Sequence, residues 1–465
     1  MRLIFIANLI SMIGSGMNSA AVIWYILQAT HSEVSLAALI ALQTLPSLVL
    51  LPFTGVLIDR EDRRHLMLWL DSARGAIIFF VAMLVFTHHV RLWHLYAMNI
   101  LVAIGFWMFF PTVNALIQEL TPDDKMLDSN SLLLAALQGG WLMAGTVVGF
   151  MYNHVGLGGV LLIDCASYAV SLACILQVRK GRVTVTRPMS ELAALDSPSG
   201  AVARYIHELG EGYRYVRKNR RVLLIGLAWA LFVAAMMTQG VLSAPLSERI
   251  LHGGAVGYGW LNAGWAVGAF VSVFYASRFI RRHGANRSVT LTMSIIALSL
   301  FLLPVSRWLA LAVPIYFMMG SSRGVGGIAL SSEMMQMVPR HFMGRVQNTF
   351  SFVASALQIG TSLLAGEAAH RHGLTYGFWI VGAMYLGAGL AAWLPVAMPK
   401  PKFFSGTIRP PTRRDSVIDQ SFSGAVTDEI CDETSDSGAV SSGVRGVSRN
   451  RKLQITRLKS SGTSS

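Results

Sequence analysis

Residues 55–65 read GVLIDREDRRH, and every position from Asp59 to Arg64 carries a charge. Long runs of Leu, Ile, Val and Phe stand on both sides of this knot. Backbone polar groups in lipid must be satisfied within their own segment, so the flanking runs read as membrane helices and the knot as the water-facing turn between them. That reading extends outward. The chain of 465 residues is 53% hydrophobic and 13% charged, against roughly 25% charged in soluble domains.

A helix of about 20 apolar residues spans the hydrocarbon core. Apolar runs between charged or Pro/Gly-rich breaks predict twelve spans, at 3–27, 35–58, 66–87, 93–118, 131–152, 158–178, 222–246, 257–277, 288–306, 308–334, 346–368 and 374–397. The first is long and bears Asn8, Ser11, Ser15 and Asn18, which favours a retained helix over a cleaved signal.

The net charge of +14 acquires its meaning from placement. The connections on the N-terminal side of the membrane hold 21 of the 38 Lys and Arg, and the opposite connections hold four, Arg91, Arg249, Arg307 and Arg371. This is the positive-inside asymmetry, and it places both termini in the cytoplasm. The basic balance therefore reports topology and implies no nucleic-acid partner. Cys165 and Cys174 lie in an apolar span and Cys431 in the tail, with no metal-ligand spacing. No nucleophile or phosphate-cradle motif stands out, so neither an enzyme nor a cofactor is expected, and an ion gradient must drive any active transport.

The knot has an echo. DREDRR (59–64) aligns with SRFIRR (277–282), pairing Arg60, Arg63 and Arg64 with Arg278, Arg281 and Arg282, and Pro122 pairs with Pro339 at almost the same separation. The expected architecture is an all-α membrane protein of twelve helices in two six-helix pseudo-repeats, 1–178 and 222–397. In the linker, 179–221, Val202, Tyr205, Ile206, Leu209, Tyr213 and Val216 recur at helical spacing beside basic residues, the pattern of an interfacial amphipathic helix. Residues 398–465 are rich in Ser, Gly and Thr and are expected to form a disordered cytoplasmic tail.

The residues carrying the repeat also carry a resemblance. GVLIDREDRR resembles the loop 2–3 signature of the major facilitator superfamily. LDSARG, NALIQELTPDDKMLDSNSL, LLIDCASYAVSL, LGEGYRYVRKNR and VPRHFMGRVQN continue the likeness, which covers about residues 3–397 and points to the macrolide-efflux and enterobactin-exporter branch. The resemblance implies the major facilitator fold, a monomer, and a gating role for Gly55, Asp59, Arg60, Arg63 and Arg64; for the three arginines, simply fixing the orientation in the membrane is the alternative. Asp59 is expected to latch onto Arg345 at the start of the eleventh span, whose helix N-terminus favours an anion. Span 5 lacks the Gly-Pro element of proton-driven drug antiporters.

Ionisable groups inside a bilayer cost about 3 kcal/mol on insertion scales and are functional candidates by default. Arg323, amid the small residues of MMGSSRGVGGIAL, is the first candidate, for an anionic substrate group or a coupling carboxylate, against the alternative of a structural ion pair between helices. Asp71 and Arg74, one turn apart, read as a gating or structural pair. Asp164 reads as a packing position or a proton carrier. Asn8, Ser11, Ser15 and Asn18 share one helix face, and Ser355 and Gln358 repeat the idea in span 11; such stripes line a cavity or a helix contact. Gly145 and Gly149, with Gly264 and Gly268, follow small-xxx-small spacing, expected where spans 5 and 8 meet.

The expected function is a secondary carrier of a bacterial inner membrane that exports small amphipathic molecules by alternating access, coupled to protons or another ion. Two rivals stand beside it: a lysophospholipid flippase, and a non-transporting receptor or assembly partner.

Overall fold

The computed structural model describes residues 2–60, 62–120, 126–177 and 198–397, all within the unit Met1–Pro399. Among these residues every regular element is a helix. The first four are α1 (Arg2–Thr30), α2 (Glu33–Arg60), α3 (Arg63–Phe86) and α4 (Leu92–Leu120). A single helical run, Met126–Leu176, then breaks at Gly156, whose φ of 63° and ψ of −174° suit only a residue without a Cβ. Its limbs are α5 (126–155) and α6 (157–176). The rest are α7 (Pro198–Lys218), α8 (Arg220–Pro245), α9 (Gly254–His283), α10 (Ala285–Leu302), α11 (Leu309–Met337), α12 (Arg340–His372) and α13 (Leu374–Ala397).

Ten stretches are long and apolar enough to cross a membrane on length and composition alone. One of them carries both α5 and α6 across the Gly156 break, and α11, diluted by Gly320, Ser321, Ser322 and Arg323, is not among the ten. With those two included the crossings are twelve, each matching an expected span.

Helices α1–α6 pack among themselves, chiefly α1 on α5 and α6, α3 on α4 and α6, and α2 on α4. Helices α8–α13 do likewise, led by α9 on α11 and α10 on α13. The halves meet along two main seams, α2 with α12 and α5 with α9. At the second seam a Cβ on Gly149 would strike the backbone of Gly259, and one on Gly145 would strike Asn262. The missing side chains let the helices approach backbone to backbone. Gly264 and Gly268 turn elsewhere. They press on the carbonyls of Val313 and Phe317 in α11, inside the second half, so the small stripe of the eighth span serves a different contact from the one expected.

Helix α7 lies against α12 and α2. Tyr205, Gly212 and Val216 are buried, whereas Ile206 and Tyr213 are exposed. Tyr215 stacks on Phe342 at 4.9 Å between ring centroids. The apolar residues at helical spacing are thus divided between a face on the bundle and a face left open.

Candidate functional site: interior charges and the seams between the halves

The charged knot does local structural work. Asp62 caps α3, its carboxylate accepting from the backbone N–H of Arg64 at 2.9 Å and of His65 at 3.3 Å. Partial burial raises this carboxyl, and the two N–H bonds with the neighbouring His65 ring outweigh it, leaving Asp62 below the usual carboxylate range. Arg64 reaches across to the end of α6, donating Nε to the Ile175 carbonyl at 3.1 Å and a terminal nitrogen to that of Leu176 at 2.6 Å. Carbonyls in the last turn of a helix have no intrahelical donor, so a cation placed there serves them twice, by hydrogen bond and by dipole. The side chains of Asp59 and Arg60, and the surroundings of Gly55, lie outside the described residues. Arg345 forms an ion pair with Glu211 of α7 at 2.9 Å.

In the first half, Asp71 and Arg74 are both buried and hydrogen-bonded to each other, and Ser171 donates to the second Asp71 oxygen at 2.7 Å. The Arg74 guanidinium also faces the rings of Phe109 and Tyr168, at 4.4 and 4.8 Å. Farther along α6, Asp164 accepts from Asn18 Nδ2 at 2.9 Å and lies 3.3 Å from the Ser167 hydroxyl. Ser15 meets the Tyr168 hydroxyl at 2.9 Å, while Asn8 and Ser11 are buried in the same helix. The polar face of α1 is therefore spent at Ser15 and Asn18 on the α1–α6 contact, the second of its two expected uses.

In the second half, Arg323 is half-buried on α11. Its Nε donates to the Met236 sulfur at 2.7 Å, and its guanidinium stands over the Trp265 ring at 4.6 Å. Met236 comes from α8 and Trp265 from α9, so three helices enclose it. Among the described residues no carboxylate pairs with it.

Polar bonds also tie the halves together. Gln358 donates to the Thr44 hydroxyl at 2.5 Å and Ser355 meets Ser47 at 3.4 Å, all along α2 and α12. At the end of the bundle opposite the N-terminus, Glu33 is wholly buried at the start of α2. It accepts from Arg249, in the π-helical turn Leu246–Ile250 that follows α8, and the other terminal nitrogen of Arg249 donates to the His31 carbonyl. His370 Nδ1, near the end of α12, lies 3.5 Å from the second Glu33 oxygen. The spacing of the sequence gives no warning of this cluster. Its one visible trace is Arg249, one of only four basic residues in the connections on that side.

No group of three or more His, Cys, Asp or Glu able to hold a metal occurs among the described residues. Twelve crossings in two halves, joined along one polar and one glycine-lined seam and enclosing buried charges, define a multi-pass membrane protein of the transporter class. A family model described as Major Facilitator Superfamily matches residues 4–359, and the chain belongs to that superfamily. Macrolide efflux protein A of Streptococcus pyogenes is 23% identical over 390 residues, covering 82% of this chain and 92% of that protein. The MFS-type transporter YkuC of Bacillus subtilis (strain 168), itself uncharacterized, is 24% identical over 381 residues, covering 77% and 83%. Among solved structures, the nucleoside transporter NupG superposes with a TM-score of 0.64 at 12% identity, covering 86% of this chain and all of that one. That likeness is one of fold.

Proposed function

We propose that this protein exports small amphipathic molecules across a bacterial inner membrane by alternating access, coupled to protons or another ion. It would act as a monomer with both termini in the cytoplasm. The observation that carries the reading is the match to an efflux protein over most of both chains. The seams support it. Bonds such as Gln358–Thr44 and Glu33–Arg249 join the halves at and towards the end opposite the N-terminus, where a carrier closed to the outside needs them. In this reading Gly55, Asp59, Arg60, Arg63, Arg64, Asp71, Arg74 and Arg345 serve the cytoplasmic gate, Gly145 and Gly149 serve the sliding seam, and Asp164, held by Asn18, is the candidate proton carrier.

A second reading, lysophospholipid movement, has one observation in its favour. A groove of about 430 Å³ runs between α3 and α4, lined by apolar residues such as Trp69, Leu101 and Met108, with Arg74 beneath and His65 at its rim.

Accumulation of fluorescent dyes, macrolides, catechol siderophores and labelled lysolipids in an efflux-deficient strain, with and without an uncoupler, tests both. Export predicts uncoupler-sensitive loss of one soluble class. Movement of lysolipid alone would favour the second reading, and no movement of any class would count against both.

A further inference from the structure

The two intramembrane arginines have opposite surroundings. Arg74 has its acid: Asp71 pairs with it, Ser171 holds Asp71, and two aromatic rings cover the guanidinium. Arg323 has a thioether and an indole face in place of an acid. A thioether is a weak acceptor, and an indole face attracts a cation without neutralising it. The guanidinium has five N–H donors in a planar fork, and one of them is used on Met236. The residue keeps partial exposure although it is enclosed by three helices, and Met236 is the one hydrogen-bond acceptor found for the fork among the described residues. A charge held in the membrane interior without a partner is costly, and an incoming anion would remove that cost.

The walls restrict what can bring such an anion. Gly324 sits against Ser272, and Gly327 looks onto the Phe232 ring, which itself meets Tyr385 edge-on at 6.2 Å. Trp265 and Met236 at the guanidinium, with Phe232 one turn farther along α11, make this neighbourhood apolar and aromatic, which favours a ligand body of the same kind. A protonated amine would meet the guanidinium as a like charge, which disfavours cationic amphiphiles.

We propose that Arg323 reads the charge of the substrate, and that the substrate is an organic anion: a carboxylate, sulfonate or phosphate group carried on an aromatic or acyl body. The assignment rests on the exporter reading above.

The test uses the full chain in proteoliposomes under an imposed proton gradient. One arm compares 1-anilinonaphthalene-8-sulfonate with its uncharged parent, N-phenyl-1-naphthylamine. A second compares lysophosphatidylglycerol with lysophosphatidylcholine. Wild type is expected to move the acid of at least one pair, and Arg323→Met to lose about tenfold or more in its kcat/KM, the effect of losing one charged contact, with the uncharged or zwitterionic partner unchanged. Arg323→Lys, which keeps the charge without the fork, should recover part of the loss and also controls for folding. An effect confined to the dye pair identifies a soluble substrate; one confined to the lipid pair identifies a headgroup. Wild type moving only the uncharged partner, or Arg323→Met slowing both members of a pair equally, overturns the anion assignment and leaves export standing. If neither pair moves, the exporter reading itself loses support and this assignment falls with it.

Discussion

At the scale of single residues, buried charges show most clearly what the apolar environment demands. Asp71 and Arg74 neutralise each other away from water, so removing one leaves the other to bear the cost of a buried charge. Asp71→Ala is expected to destabilise the protein by about 3–5 kcal/mol, and Asp71→Ala with Arg74→Leu by much less, because the double change leaves no unpaired charge. Denaturant unfolding in detergent reads the difference, and equal losses would show that the pair is not the stabilising unit. Asp62 offers a gentler case. Asp62→Ala should cost about 1 kcal/mol by uncapping α3. Its carboxyl lies below the usual range, so the cap's contribution is complete above the unfolded value near pH 4 and is lost as pH falls through the folded one. Unfolding of wild type and Asp62→Ala should therefore converge in acid.

At the scale of elements, glycines set which helices can touch. Gly149→Val would push against the Gly259 backbone and part the two halves, whereas Gly268→Val would push against the Phe317 carbonyl within one half. The first variant is expected to reach the membrane at normal levels with transport much reduced, and the second to accumulate poorly. Quantitative blotting alongside flux separates the two, and poor accumulation of Gly149→Val would refute the distinction. Helix α7 adds a tie of its own through Glu211 and Arg345. The linker's basic character and apolar spacing indicated a helix there. They carried no information on its docking, because a surface helix can lie on lipid or on protein with the same pattern.

At the scale of the whole molecule, the cluster of Glu33, Arg249 and His370 joins three helices and both halves. A carrier that opens at this end has to break it. Arg249→Gln removes a charge-assisted bond worth about 1.5–3 kcal/mol, which shifts the closed-to-open ratio by roughly tenfold or more. A cysteine placed at Thr44, with the native cysteines replaced, should then be labelled faster by a membrane-impermeant thiol reagent added outside. Unchanged labelling would show that this cluster does not keep the end closed.

The sequence alone determined the class. Twelve apolar runs, the asymmetry of Lys and Arg and the repeated arginine cluster follow from hydropathy and charge, which act residue by residue and need no partner to be known. It also picked out Arg74 and Arg323 as costly interior charges, since cost depends on depth along a span. Tertiary structure alone decided their fates. Arg74 has a local acid three residues away, but the Met236 and Trp265 that surround Arg323 come from other helices. The polar face of α1 went to α6, Gly264 and Gly268 went to α11, and Glu33 found Arg249 across 216 positions. Each of these depends on the rotation of one helix against another, and rotation is set by packing that periodicity does not encode.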